Sequence, residues 1–495
     1  MTGYAAPTAA PGPARALWSL REDTWIESDT DGSLLHTRWG DVRIAGEDPA
    51  AHELLRRMAL GPVALENLVP AAGGEDGRLG RARLMLLLER LRSVVVRSLA
   101  LQDAEQPLLS AVPVSAAARF APVRLPADRP LRLSRFASVR PGPDGLVLES
   151  PLSLYRLVFH RPEAMWVVSA LGRPGTLAAV AAAVPLAPEV VREVVGHLAA
   201  TGMAVVGEQV GDTPHFDEDA DAVLATWSGR ELLQHTRSRL GRHDDDFGAT
   251  YSHVGRLAPE PALKPLPDGK RVPLERAAAA PADPPLGEVL AARRSVRQHG
   301  ERPIGLAELG AFLDRVAAVR SVSAPTGADP TYYQTSRRPY PSGGAAYELE
   351  FYLTVSRCEG LADGVWYYDP AGHQLVLVDA PADDAEELLL GAQLAAGMDR
   401  PPQVLVTLTS RFQRLSWKYS AMWYALTLKH VGVVQQTMYL VATALGLAPC
   451  ALGAGDIEVS ARAFGLDWRR ESSVGEFALG SLPAGARADR TPAGR

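Results

Sequence analysis

The stretch from Lys418 to Gly446 constrains the fold most, because it reads as one long helix with apolar residues on nearly every side. Its polar positions are scattered rather than gathered on one face. A helix that is apolar all round is buried in a large core or in a subunit interface. Ser416-Trp417-Lys418-Tyr419-Ser420 opens the stretch, so two groups able to move protons stand at its head. A lysine in that position is not ordinary surface decoration. Gly446 is placed to end the helix, and Pro449 follows soon after.

At 495 residues the chain exceeds one ordinary core, and two or three domains are expected. Hydrophobic residues at 47% and charged residues at 22% suit a soluble globular protein. A net charge of -6 leaves no electrostatic footprint for nucleic acid. Cys358 and Cys450 are the only cysteines, which excludes a disulfide framework and fits a reducing cytoplasm. Met1 to Ala16 is rich in Ala and Pro without an apolar core, so no signal peptide is expected. Val431 to Gly455 is interrupted by Gln435, Gln436 and Pro449, and reads as a buried helix followed by a loop rather than a membrane span.

An internal repeat is visible at an offset of 113 residues. Gly32, Leu35, Arg43, Pro49 and Ala51 match Gly145, Leu148, Arg156, Pro162 and Ala164 without a gap. Each copy reads as strand, Gly turn, strand, then a helix starting at Pro, which suits a first turn that needs no N–H. The second copy continues with a helix at Pro188 to Ala200 and a short strand at Gly202 to Val206. Two helices and a small hairpin form a winged-helix-like pattern, so modules are expected at 1–110 and 125–208. Residues 209–285 read as a helical segment followed by a Pro/Ala-rich linker. From 286 to 483 helices and strands mix in an order that predicts an α+β domain, and 484–495 reads as a flexible tail. Expected strands are Leu349 to Val355, Val365 to Tyr368, Gln374 to Val378, Gln403 to Thr409 and Val474 to Leu479. Expected helices there include Ala382 to Met398 and Tyr419 to Leu445. No GxGxxG follows a strand, which gives no support to a Rossmann site.

Three motifs within this C-terminal region could carry chemistry. Arg293-Arg294-Ser295-Val296-Arg297 offers three guanidiniums and a hydroxyl, a donor set suited to phosphate, although a solvated basic helix end is the commoner use. Pro341-Ser342-Gly343-Gly344 is a turn whose glycines let backbone approach a flat ring. Lys418 could accept a proton if burial or a nearby cation lowered its pKa; the bland alternative is a snorkelling lysine beside a core tyrosine. Cys450 in its apolar company reads as packing. His235, Arg237, Arg239, Arg242 and His243 crowd into nine residues without metal-ligand spacing, and suggest a basic helix that contacts an acidic peptide or the C-terminal domain.

In this order the arginine motif, the Pro-Ser-Gly-Gly turn and the Lys-Tyr pair resemble the nitroreductase superfamily. Within it they look most like the SagB-type, or McbC-like, FMN-dependent azoline dehydrogenases. The resemblance implies FMN held by Arg293, Arg294, Ser295 and Arg297 at the phosphate end. It implies further flavin contacts from Pro341, Ser342, Gly343, Gly344 and Gln435, and backbone N–H groups near the flavin N5 from Gly453 and Ala454. Lys418 and Tyr419 are implied as the catalytic pair, and no metal is implied. The implied activity is oxidation of thiazoline or oxazoline rings in a ribosomally made precursor peptide, beside a cyclodehydratase partner and in a homodimer. A NAD(P)H-dependent nitro or quinone reductase, or an inactive peptide-binding scaffold, are the alternatives.

Overall fold

Gly32 and Gly145 begin matching strands with φ of 140° and 136°, a region that residues with side chains rarely enter. At Gly145 an added Cβ would lie 2.1 Å from the Phe159 carbonyl oxygen. In each copy that strand pairs antiparallel with the next, and a helix with Pro at its start follows. The first copy is β1 (Gly32–Thr37), β2 (Gly40–Ala45) and α1 (Pro49–Leu60). The second is β3 (Gly145–Glu149), β4 (Tyr155–Phe159) and α2 (Pro162–Ala170). Leu35 and Leu148, equivalent under the offset, are both fully buried. After this the copies diverge. The second alone continues through α3 (Leu177–Ala182), α4 (Pro188–Ala200) and β5 (Ala204–Val206), which pairs with Leu131–Leu133. β1 and β2 belong to a three-stranded sheet, whereas β3 and β4 join a six-stranded one.

These copies lie in the first of two units, Met1–Asp244 and Asp245–Arg495. The computed structural model describes residues 14–485 apart from 30–31, 46–48, 68–74, 103, 277–282 and 326; most of the expected tail falls outside this range. The segment 209–285, expected as a helix plus linker, is divided between the units. Its first part forms a hairpin and the helix Gly229–Arg237 within unit one. There Arg237 pairs with Glu149, and Arg242 donates to the Pro151 and Leu152 carbonyls, so these arginines serve the module's own packing.

Unit two is built on a seven-stranded antiparallel sheet. Its strands are β6 (Arg271–Pro273), β7 (Leu349–Val355), β8 (Gly364–Asp369), β9 (Gln374–Leu377), β10 (Val404–Arg411), β11 (Leu447–Leu452) and β12 (Glu471–Ser481). Their spatial order is β6-β9-β8-β7-β10-β12-β11. Side chains alternate between two cores: Phe351 and Phe477 join one, Tyr352 and Ala478 the other. Helices α5 (Leu306–Ala317) and α7 (Trp423–Leu445) cover the first face, while α6 (Ala382–Ala396) and α8 (Ile457–Phe464) cover the second. With both faces covered, strands read as near-continuous apolar runs.

Three expectations change here. α7 starts at Trp423 rather than near Lys418, because Ala421 adopts a left-handed φ of 59° and Tyr419–Ser420 pairs as a short strand with Gly248–Ala249. The expected loop after α7 is strand β11 as far as Leu452; Pro449 is tolerated because β11 is an edge strand. α7 itself buries only one face, through Thr427, His430, Val431, Val434, Met438 and Ala442, and leaves Leu428 (44%) and Val433 (37%) exposed. Among the described residues no helix is long and apolar enough to cross a membrane.

Candidate active site

Lys418 and Tyr419 converge on the Gly343-Gly344 turn. Gly344 has a left-handed φ of 62°, and a Cβ there would lie 2.7 Å from the Lys418 Nζ and 2.9 Å from the Tyr419 hydroxyl. A side chain there would be strained and would push these groups aside. Tyr333 joins them: the Lys418 Nζ donates to its hydroxyl at 3.2 Å, and that hydroxyl donates to the Gly344 carbonyl at 2.5 Å. Burial works to lower the Lys418 pKa, but the hydrogen bond it donates to Tyr333 and the neighbouring tyrosines outweigh it and the value is raised. Lys418 therefore rests as an ammonium, contrary to the lowering that a free base would need. Tyr419 is also raised, by burial first, with Lys418 opposing.

The turn is fixed from beneath. The Gly343 N–H donates to the His430 Nε2 at 2.9 Å, so the imidazole proton sits on Nδ1, which donates to the fully buried Glu348 at 2.7 Å. Ser342 accepts from the Tyr347 N–H at 3.0 Å and donates to Glu348 at 3.3 Å, closing the loop on itself. Pro341 is exposed at its start.

The arginine motif packs against another part of α7. Arg293 stacks its guanidinium over the Tyr439 ring at 5.2 Å, and Ser295 shares a 2.7 Å hydrogen bond with the Tyr439 hydroxyl. That hydroxyl also accepts from the Ala451 N–H at 2.8 Å, and the Val296 N–H donates to the Pro449 carbonyl. Tyr439 thus ties the motif to β11. Among the described residues no carboxylate pairs with Arg293 or Arg297, while Arg294 is exposed. Cys450 lies in the core, where burial raises its thiol although Arg297 pulls the other way; a thiol so placed is inert packing.

Gly453 and Ala454 are exposed just past β11, and a Cβ at Gly453 would meet nothing within 4 Å. Gly455 instead presses on Glu476, whose buried carboxyl is pushed up to about 7. Gln435 turns toward the sheet and donates to the Glu476 carbonyl at 3.2 Å.

The named residues therefore form two groups, one at Gly344 with Lys418 and Tyr419, the other at Tyr439 with Arg293 and Ser295. His430 and Tyr439, their anchors, are nine residues apart on α7, about 14 Å along the axis. Sequence reasoning missed Tyr251, Tyr333, Glu348, His430 and Tyr439. No local pattern marks these five; Lys418, by contrast, is one of only four lysines, at 264, 270, 418 and 429, among 51 basic residues.

The nitroreductase family model matches residues 290–481, and the model of the cyanobactin oxidase ThcOx matches residues 131–244. A Methanocaldococcus jannaschii protein provisionally named a nitroreductase is 31% identical over 169 residues, covering 34% of this chain and 78% of that protein. Among solved structures, a provisionally named nitroreductase of Ralstonia eutropha aligns at 17% identity over 48% of this chain and 100% of its own, with a TM-score of 0.34. The E. coli microcin synthetase McbBCD complex with truncated pro-MccB17 bound aligns at 19% identity over 50% and 90%, with a TM-score of 0.31. A Desulfovibrio desulfuricans protein, provisionally named a nitroreductase and crystallised with FMN, aligns at 17% over 43% and 94%, at 0.26. Assignment rests on the sequence matches rather than on these superpositions. By that match across the second unit, the chain belongs to the nitroreductase family of oxidoreductases.

Proposed function

We propose that the chain is an FMN-dependent dehydrogenase of the SagB type that oxidises thiazoline or oxazoline rings in a ribosomally made peptide to thiazoles or oxazoles. The observation that carries this reading is the convergence of Lys418 and Tyr419 on Gly344, whose lack of a side chain leaves room beside them for a flat ring. The match of residues 131–244 to a cyanobactin oxidase supports a peptide substrate. The three helices α2 to α4 with β5 support a winged-helix-like module that holds the precursor or its cyclodehydratase partner.

The residues present fit FMN. Arg293 and Arg297 lack carboxylate partners among the described residues, and Ser295 stands beside them, a donor set for one terminal phosphate. Gly343 and Gly344 leave the close approach that an isoalloxazine needs, and Gly453 and Ala454 offer backbone N–H groups. When bound, FMN would accept the hydride leaving the ring carbon, and molecular oxygen, reduced to hydrogen peroxide, would take the electrons onward.

The chain's own residues then handle the proton lost from the adjacent ring Cα. Lys418 accepts it only after releasing its own proton, and the Tyr333 and Tyr419 hydroxyls are the neighbours in reach. Turnover through Lys418 as base rises with pH, because its neutral fraction grows about tenfold per unit below its pKa.

Purified protein should be yellow and release FMN, not FAD, on denaturation. It should remove two hydrogens per azoline ring from a test peptide. Lys418→Ala should lose about a hundred- to ten-thousand-fold in rate while keeping its flavin. A flavin-replete Lys418→Ala protein that oxidises the ring at the wild-type rate removes the assignment. Faster oxidation of NAD(P)H with a nitroarene than of any azoline would favour the reductase.

A further inference from the structure

A partly buried ammonium needs something to face its charge. Among the described residues no carboxylate pairs with Lys418. Its Nζ instead sits 5.5 Å from the ring of Tyr251, 5.2 Å from Tyr333 and 5.3 Å from Tyr419, with a hydrogen bond to the Tyr333 oxygen and the Tyr251 hydroxyl also placed to accept from it. An ammonium can only donate, so Tyr333 must accept from it, and Tyr333 passes its own hydrogen to the Gly344 carbonyl. The result is a directed chain from Lys418 to the glycine turn. The other charge against Tyr333 is the Arg414 guanidinium, 5.5 Å from its ring.

Tyr251 reaches this site from far away in sequence. Its N–H donates to the Lys418 carbonyl at 3.1 Å, and its ring meets Trp417 edge-on at 5.8 Å. Next to it Ala249 pairs with Tyr419, and Thr250 shares a 2.6 Å hydrogen bond with Ser420. Tyr251 also holds a left-handed φ of 52°. That costs a bulky residue on the order of 1–3 kcal/mol and persists only where the surroundings over-determine it. Five non-glycine residues among those described have such a φ. Three of them, Ala345, Tyr347 and Ala421, lie within a few residues of Gly344 or Lys418, and a fourth, Tyr251, bonds the Lys418 carbonyl. Strain concentrated in this way marks a site held for use.

The geometry points to Tyr251 and Tyr333 as positioning residues for Lys418: one from the strap before the catalytic domain, one from the loop before the glycine turn, together holding the ammonium without a carboxylate. A cation so held keeps its full field for negative charge that develops on a bound substrate. The inference rests on the reading that Lys418 handles the proton. Tyrosine oxygens and ring faces favour the charged amine, in line with its raised pKa. Removing either hydroxyl should therefore lower that pKa, whether Lys418 serves as base or as charge.

The test measures acetylation of each lysine by mass spectrometry across pH 8 to 10.5 on the full-length protein. With four lysines, Lys270 and Lys429 act as internal references. In Tyr333→Phe and Tyr251→Phe the pH dependence at Lys418 should move down by about half a unit to one unit, the size one hydrogen bond supports. The references and the Tyr332→Phe control should stay put. The pH limb of azoline oxidation should move in the same direction. A Lys418 midpoint unchanged in both variants overturns the assignment. Because the labelling needs no substrate, wild-type protein that carries flavin but oxidises no azoline overturns the proposed reaction instead.

Discussion

Glu476 lies in the middle of β12 with its carboxyl buried against Gly455, and burial alone pushes its pKa to about 7. Its cross-strand neighbour Thr407 is also buried, with its hydroxyl lacking a hydrogen bond. The folded state therefore prefers the protonated acid. Its stabilisation is complete below the unfolded value near 4.5 and is lost as pH rises through about 7. Glu476→Gln should stabilise the protein at pH 8 by about 2–3 kcal/mol and change little at pH 4, as read from urea melts. Equal gains at both pH values would contradict the cause given. Nothing in the sequence exposed this group, since a single Glu in an apolar strand reads as pointing to water. Lys418 and Tyr419 stood out in the sequence because they are adjacent and resemble a known pair. Tyr251 and Tyr333 were not, because chain distance hides who stands beside whom.

Among elements, the expected strands of unit two lie within about three residues of the observed ones, whereas β6, β11, α5 and α8 were not read. β7 was read at Leu349 to Val355 and found there, and α6 ends two residues short of Met398. Alternation and apolar length are local signals, and here tertiary packing agrees with them. The strap from Asp245 to β6 was read as linker because Pro and Ala carry no periodicity. Its work is done by backbone carbonyls, which no side-chain pattern reports. Arg411 takes the Pro261 carbonyl at 3.0 Å, Arg414 that of Glu260 at 2.6 Å, and Trp417 that of Leu257 at 2.8 Å. Lys264 bridges Tyr352 and Glu471, and β6 extends the sheet. A chain starting at Asp245 should fold, whereas one starting at Leu286 should aggregate or melt far lower, because Arg411 and Arg414 lose their carbonyl acceptors and buried Glu471 loses Lys264, about 3–5 kcal/mol for a broken buried pair. Equal melting temperatures for the two would show that the strap is idle.

At the scale of the whole molecule, the exposed stripe of α7 bears on the proposed homodimer. Leu428 and Val433 leave apolar surface uncovered beside the helix that anchors both residue groups. Leu428→Glu with Val433→Glu should convert a dimer to monomer by light scattering and release flavin. A wild-type protein that is monomeric yet holds its full flavin would end the dimer proposal. The sequence suggested two N-terminal modules, a segment at 209–285 and a C-terminal domain from 286, whereas the two units divide at Asp244, inside that segment, where neither side breaks a pattern. The pairing of Gly248–Ala249 with Tyr419–Ser420 also sets a timetable for synthesis. The first partner leaves the ribosome 170 residues before the second, on the order of ten to thirty seconds at ordinary translation rates. A nascent chain can thus finish unit one while the site around Lys418 is still unformed. Competence arrives only when the last third of the protein has been made.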